Sequence, residues 1–278
     1  MHKGFDASIT WTDHINDFNY SIGGNITYSR FWDWEQYKPR FSNSWDEYRN
    51  SIWHRVGYVN WGYEAIGRFQ NWEQIANYPI DNDRKGNRTV VPGDIMYKDQ
   101  NNDGVINYLD ERPIGYRVDS TPTLNFGINL SASWKGFDLA MDWTGSGMTS
   151  WNQCYETARP FQNDGNSPDE VLKDAWHLSD IWDANSPLIP GKYPMIRLNT
   201  DETSAYDKSS YWLHNVTYLK LRNLEVGYTF PKTWLNKTGI SNLRLFVSGT
   251  NLLTLSNLSV MDPECASDNG LDLSLIHI

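Results

Sequence analysis

Long apolar runs are missing from this 278-residue chain, and without a stretch of about eighteen apolar residues a membrane-spanning helix is excluded. The same absence leaves open a membrane barrel, whose strands are short and alternating. Basic residues are outnumbered: 24 Lys and Arg face 34 Asp and Glu, and a net charge of -10 argues against the nucleic-acid backbone as a partner. Cysteine is scarce, and Cys154 and Cys265 are too far apart in sequence for any metal-ligand spacing. The six His residues are scattered, which argues against a zinc site. A phosphate-cradling glycine loop is lacking, and "GSG" at 145–147 has none of the flanking glycines of a nucleophile elbow. The carboxylate pairs Asp110/Glu111 and Asp169/Glu170 are adjacent in sequence, which says nothing about the separation glycoside hydrolysis requires. A non-enzyme is expected. There is also no leader before "HKGFDASITWT", so the chain is expected to be a fragment that starts inside a strand.

Aromatic residues are plentiful at 14%, although the mean hydropathy is -0.62. That combination suits rings placed at a boundary between apolar and wet regions. In "KGFDASITWTD", Phe5, Ala7, Ile9 and Trp11 share one face, and after a short polar turn Tyr20, Ile22, Ile26 and Tyr28 alternate with polar residues. This predicts a β-hairpin with strands of about ten residues, long enough to cross a bilayer at a tilt. A second hairpin is predicted over "TPTLNFGINLSASW" and "KGFDLAMDWTG", and further strands over "YLKLRNLEVGYTFP" and "NLRLFVSGTNLLTLS". "KGFD" stands before a strand twice, at 3–6 and 135–138. Two long irregular regions, about 30–120 and 146–209, separate the hairpins, and loops of that length usually carry function. Short turns on one side with long connections on the other is the asymmetry of an outer-membrane barrel. A soluble β-sandwich with one wet face satisfies the same alternation.

The segment "GDIMYKDQNNDGVINYLDERPIG", residues 93–115, carries the most specific chemistry. Calcium takes six to eight oxygens, and a short loop supplies them only if it turns sharply. From Asp99 as position one, Asn101 and Asp103 fall at three and five, Gly104 at the bend, the Val105 carbonyl at seven, Asn107 at nine and Asp110 at twelve. Ile106 at eight would anchor the loop in apolar surroundings. The twelfth position is normally Glu. Asp110 there resembles a dockerin loop, and Glu111 is a substitute. An Asn/Asp/Gly-rich turn that bonds only to itself is the competing reading.

Taken in order, "KGFD", "PGDIMYKDQNNDGVINYLDERPIG", "TPTLNFGINLSASWKGFDLAMDWTG", "YLKLRNLEVGYTFP", "LRLFVSGTNLLTLS" and "MDPE" resemble the C-terminal part of a TonB-dependent outer-membrane transporter of the SusC/RagA family. The resemblance implies an all-β fold: a partial antiparallel transmembrane β-barrel over residues 1–272 with long extracellular loops. It implies residence in the outer membrane of a Gram-negative bacterium, and a barrel driven through the TonB complex by an N-terminal region absent here. It also implies a SusD-like surface lipoprotein as partner and cargo that is chiefly oligosaccharide, sometimes peptide. A secreted carbohydrate-binding β-sandwich and a TonB-dependent siderophore receptor are the alternatives. The tail "LSLIHI", 273–278, departs from the family's closing strand and is expected to be non-native. Within such an importer, Trp32, Trp34, Trp45, Trp61, Trp151 and Trp182 lie outside the clear strands, where flat rings either stack on sugar faces or pack the loops.

Overall fold

The computed structural model describes residues 1–33, 39–117, 122–162, 165–198, 202–236, 239–259 and 261–264. Trp34, Cys265 and the tail 273–278 lie outside the described residues. The chain divides into two compact units, one of residues 1–34, 121–149 and 216–259, the other of 35–120, 150–215 and 260–278.

The first unit is built on six long strands: β1 (His2–Ile15), β2 (Phe18–Asp33), β3 (Leu124–Trp134), β4 (Phe137–Asn152), β5 (Leu213–Thr229) and β6 (Arg244–Ser256). They hydrogen-bond in sequence order, so each strand lies beside the next. The first turn has Asn16 at φ 53°, and the second is Lys135–Gly136 with φ 47° and 92°. Positive φ at both central residues of a two-residue turn matches the right-handed twist of the flanking strands.

Register carries the alternation across the sheet. Ile9, Gly24, Ile128 and Trp143 form one cross-strand row, and Trp11, Ile22, Leu130 and Met141 form the next. On the opposite face Asp6, Thr27, Asn125 and Ser146 line up, as do, two rows further on, Thr10, Gly23, Asn129 and Asp142. Because side chains alternate with period two, each row has a single character. The polar rows bond to themselves: Ser146 Oγ donates to Asn125 Oδ1 at 2.7 Å, and Asn129 Nδ2 to Asp142 Oδ1 at 2.7 Å. Arg244 on β6 pairs with both Asp138 on β4 and Glu225 on β5.

The apolar rows stay uncovered, with Ile9 76% and Val247 78% exposed and Phe5, Trp11, Trp134, Phe137 and Leu245 also exposed. Among the described residues no second sheet lies on them, so the sandwich reading is not what the chain adopts. At the end with the short turns, Ile15, Phe18, Trp134 and Phe137 form one row, and Tyr228 meets Phe137 with centroids 4.6 Å apart. Such a ring row is the arrangement expected of an interfacial girdle.

The second unit differs from the expectation of irregular loops. It has a core of its own, in which Tyr63, Ile95, Tyr97 and Ile106 from the first long region pack with Val171, Tyr193 and Tyr206 from the second and with Trp212 just beyond it. Short paired strands frame it, Trp61–Gly62 with Arg112–Pro113 and Ala65–Arg68 with Ile95–Tyr97. Polar side chains take over where regular ladders stop. Buried Asn82 accepts from the Tyr97 N–H at 3.0 Å and donates to the Ile95 carbonyl at 3.0 Å. Arg68 donates to the Gly93 carbonyl through Nε at 2.8 Å, and through Nη1 to the Gly191 and Lys192 carbonyls, both at 2.6 Å. These bonds satisfy backbone groups that would otherwise be buried without partners.

Candidate functional site

The acidic loop lies in the second unit, between Ile95–Tyr97 and the single turn Tyr108–Asp110. Gly104 takes φ +83°, a left-handed conformation that costs glycine nothing sterically. The bend is pinned from outside: Asp81 N–H donates to the Gly104 carbonyl at 2.8 Å, and Ile106 N–H to the Asp81 carbonyl at 2.9 Å. Ile106 has no exposed surface and belongs to the core, the position its spacing implied. The carboxylates of Asp99, Asp103 and Asp110 converge, each offering an oxygen within 4.8 Å of the other two.

Backbone N–H groups hold those carboxylates. Asp99 accepts from Asn102 and Gly104 at 2.6 and 2.8 Å, Asp103 from Val105 at 2.9 Å, and buried Asp110 from Gln100 and Asn107 at 2.8 and 2.9 Å. The Val105 N–H bond, followed by the Asn101 side chain, lowers the Asp103 carboxyl below the ordinary range. Each oxygen so engaged keeps a second lone pair, so the set retains acceptor capacity for a hard cation. Asn101 Oδ1 accepts from the Asp103 N–H at 3.0 Å, and Asn107 Nδ2 donates to the Val105 carbonyl at 3.1 Å, so these donors ring the same bend. Glu111 points elsewhere and accepts from Arg49 at 3.0 Å. Neither Asp81 nor Gln100 stood out in the sequence, because the contacts that recruit them are set by the fold.

The tryptophans separate into packed and open ones. Trp151 has no exposed surface and stacks on His214 with centroids 5.6 Å apart. Trp61 is buried beneath the Arg49 guanidinium, 4.4 Å from its ring centre, and meets Trp45 edge-on at 6.3 Å. Arg112 lies 4.9 Å from the Trp45 ring centre, and Lys3 5.0 Å from that of Trp32. A ring face already occupied by a cation is not free for a sugar. Among the described residues of this set Trp182, 90% exposed, is the open one. Contrary to the expectation that these rings lie outside the clear strands, Trp32 falls within β2 and Trp151 within β4.

No protein-family model matches the chain. Three proteins of Formosa agariphila are similar in sequence. TonB-dependent receptor P3 is 30% identical over 207 residues, and TonB-dependent receptors P26 and P39 are 26% identical over 206 and 223 residues. These alignments cover 72–73% of this chain but 19% of each relative, so the chain spans about a fifth of their length. Among solved structures, the RagAB peptide importer in the "open-open" state matches 96% of this chain with a TM-score of 0.58 at 22% identity. The RagAB peptide transporter matches 95% with the same score at 21% identity, and in both cases the chain spans 26% of the solved one. The fold likeness embraces both units, whereas the sequence likeness supplies the kinship. On these findings the chain is homologous to part of the TonB-dependent receptors, which reside in the outer membrane of Gram-negative bacteria.

Proposed function

We propose that the chain supplies part of the wall and the extracellular loops of a TonB-dependent importer of nutrients. The observation that carries this reading is the uncovered apolar face running across β1 to β6, in a chain homologous to TonB-dependent receptors. In lipid that face is solvated by acyl chains, while the polar rows of Asp6, Asn129 and Asp142 turn to a hydrated interior. An open sheet edge is not tolerated in hydrocarbon, so β1 and β6 each pair with further strands of the whole receptor, closing a transmembrane β-barrel. The work is translocation rather than bond chemistry, with energy delivered through the TonB complex and a SusD-like surface lipoprotein as capping partner.

Oligosaccharide is the proposed cargo, and peptide is the second reading because the matched solved structures are of a peptide importer. Deleting the receptor gene and following uptake of labelled oligosaccharides, peptides and iron chelates tests this. Loss confined to oligosaccharides is the expected result, and undiminished uptake of all three overturns the importer reading.

For the acidic loop the proposed ligand is calcium, held by Asp99, Asn101, Asp103, the Val105 carbonyl, Asn107 and Asp110, with a stiffening role. Calorimetric titration of the whole receptor should show calcium heat that Asp103→Asn abolishes. A flat titration leaves the self-bonded turn as the reading.

A further inference from the structure

Near its short turns, the apolar face of the sheet carries a depression. In the row Asp13, Tyr20, Ala132 and Leu139 the smallest side chain is Ala132, and the next row holds the rings of Phe18, Trp134 and Phe137. A methyl group beside three rings leaves a shallow cavity of about 270 Å³, lined by Ala132, Leu139, Val226 and those rings. The strands that border it, β2 to β5, all belong to this chain and have β1 and β6 beyond them, so no further strand has to fill it. Charge stands at the rim. Lys135, in the turn that follows Trp134, holds its ammonium 5.4 Å from the centre of that ring. Among the described residues no carboxylate pairs with it. Phe18 pairs with Trp134, so Asp17 and Lys135, one residue beyond each, stand on neighbouring turns. The other charges described at this end are Asp13 on β1, with His14 beside it, and Lys232 just after β5. Asp138, Glu225 and Arg244 pair with one another on the polar face, and Lys237 lies outside the described residues.

We propose that this depression holds an acyl chain of one phospholipid of the inner leaflet, with the phosphate on Lys135 and a head-group ammonium toward Asp17. The inference rests on the importer reading, which sets this face against hydrocarbon and the short turns on the periplasmic side. A ring row marks the level at which head groups begin, and a lysine there meets phosphate as a point charge. A convex apolar face meets exchanging lipid everywhere. A concave one, closed at its rim by matched charges, retains a particular molecule. Both signs stand at this rim. A purely anionic head group would meet Asp13 and Asp17 as well as the lysines, so one carrying phosphate and ammonium together fits it best.

The test is native mass spectrometry of the whole receptor, exchanged in mild detergent with equimolar phosphatidylethanolamine and phosphatidylglycerol. The expected spectrum shows one retained phosphatidylethanolamine, in preference to phosphatidylglycerol. Lys135→Gln should cut that retention about fivefold, and Ala132→Leu, which fills the depression, at least about tenfold. Val247→Leu, on the same face but outside the depression, should leave retention unchanged. Receptor abundance in the outer membrane, measured alongside, separates lost retention from lost assembly. No retained lipid, retention that neither variant lowers, or a second protein chain in the lipid's place overturns the proposal. Equal retention of the two lipids, or a preference for phosphatidylglycerol, overturns the pairing with Asp17. A nitroxide at position 247 reads the importer orientation separately, since greater access to oxygen than to a water-soluble nickel chelate places this face in lipid. With that result in hand, a failure to retain lipid counts against this site alone.

Discussion

The Asp83 carboxylate accepts four hydrogen bonds: from the Lys85 and Asn87 N–H groups at 2.9 and 2.7 Å, and from the Thr89 N–H and hydroxyl, both at 2.7 Å. Burial by itself would raise its pKa, but these bonds outweigh burial and hold it down at about 2, against an ordinary 3.8. A carboxyl depressed on folding contributes stability that is full above pH 3.8 and is lost as pH falls from there through about 2. Hydrogen exchange should therefore show the Lys85, Asn87 and Thr89 amides losing protection across that window. Asp83→Asn, with one acceptor oxygen in place of two, should weaken the segment at neutral pH by about 1.5–3 kcal/mol. Tryptophans give a second contrast at this scale. Trp212, buried between Tyr193 and Tyr206 with its Nε1 donating to the Ala205 carbonyl at 2.8 Å, should cost about 3–5 kcal/mol when replaced by Ala. Trp182→Ala should change stability by no more than about 0.5 kcal/mol. Denaturant unfolding of the whole receptor, followed by proteolysis within residues 150–212, checks both.

Among the elements, the long strands were the legible part, because a sheet with one apolar face writes its period directly into sequence. Ile9 and Ser8 are neighbours on opposite faces, which makes them a matched pair. Ile9→Arg should cost about 2–4 kcal/mol near the bilayer midplane, and Ser8→Arg close to nothing, read as receptor assembled in the outer membrane. One departure from simple alternation was also written in the sequence. In β5 and β6 the register slips by a residue: Asn223 pairs with Thr250 but Leu221 pairs with Leu253. Asn251, at φ 52°, lies in the extra step. The apolar series Leu219, Leu221, Leu224, Val226 already changes phase at that point, as a bulge requires. The acidic loop was legible for a similar reason, since Asp99, Asp103, Gly104 and Ile106 act through short, fixed separations. The guanidiniums lying over Trp45 and Trp61 left no such trace.

Across the molecule, the second unit depends on contacts between the two long regions. Arg197 donates to buried Asp94 and, at 3.0 Å, to the Thr89 carbonyl, joining positions more than a hundred apart in sequence. Removing one partner leaves a buried charge unpaired, so Asp94→Ala should cost about 3–5 kcal/mol, whereas the double variant Asp94→Ala, Arg197→Met should recover part of that loss. Limited proteolysis of residues 165–198 in the whole receptor would report both outcomes. By itself, the sequence determined the strands, their faces, the hairpin turns and the order of oxygen donors in the acidic loop, because each is fixed by neighbours a few residues apart. Only the tertiary structure decided that two regions read as loops share one core, that Trp151 is sealed while Trp182 stands in solvent, and that Glu111 turns to Arg49. Those outcomes rest on side chains brought together from distant parts of the chain, and no local period encodes such meetings.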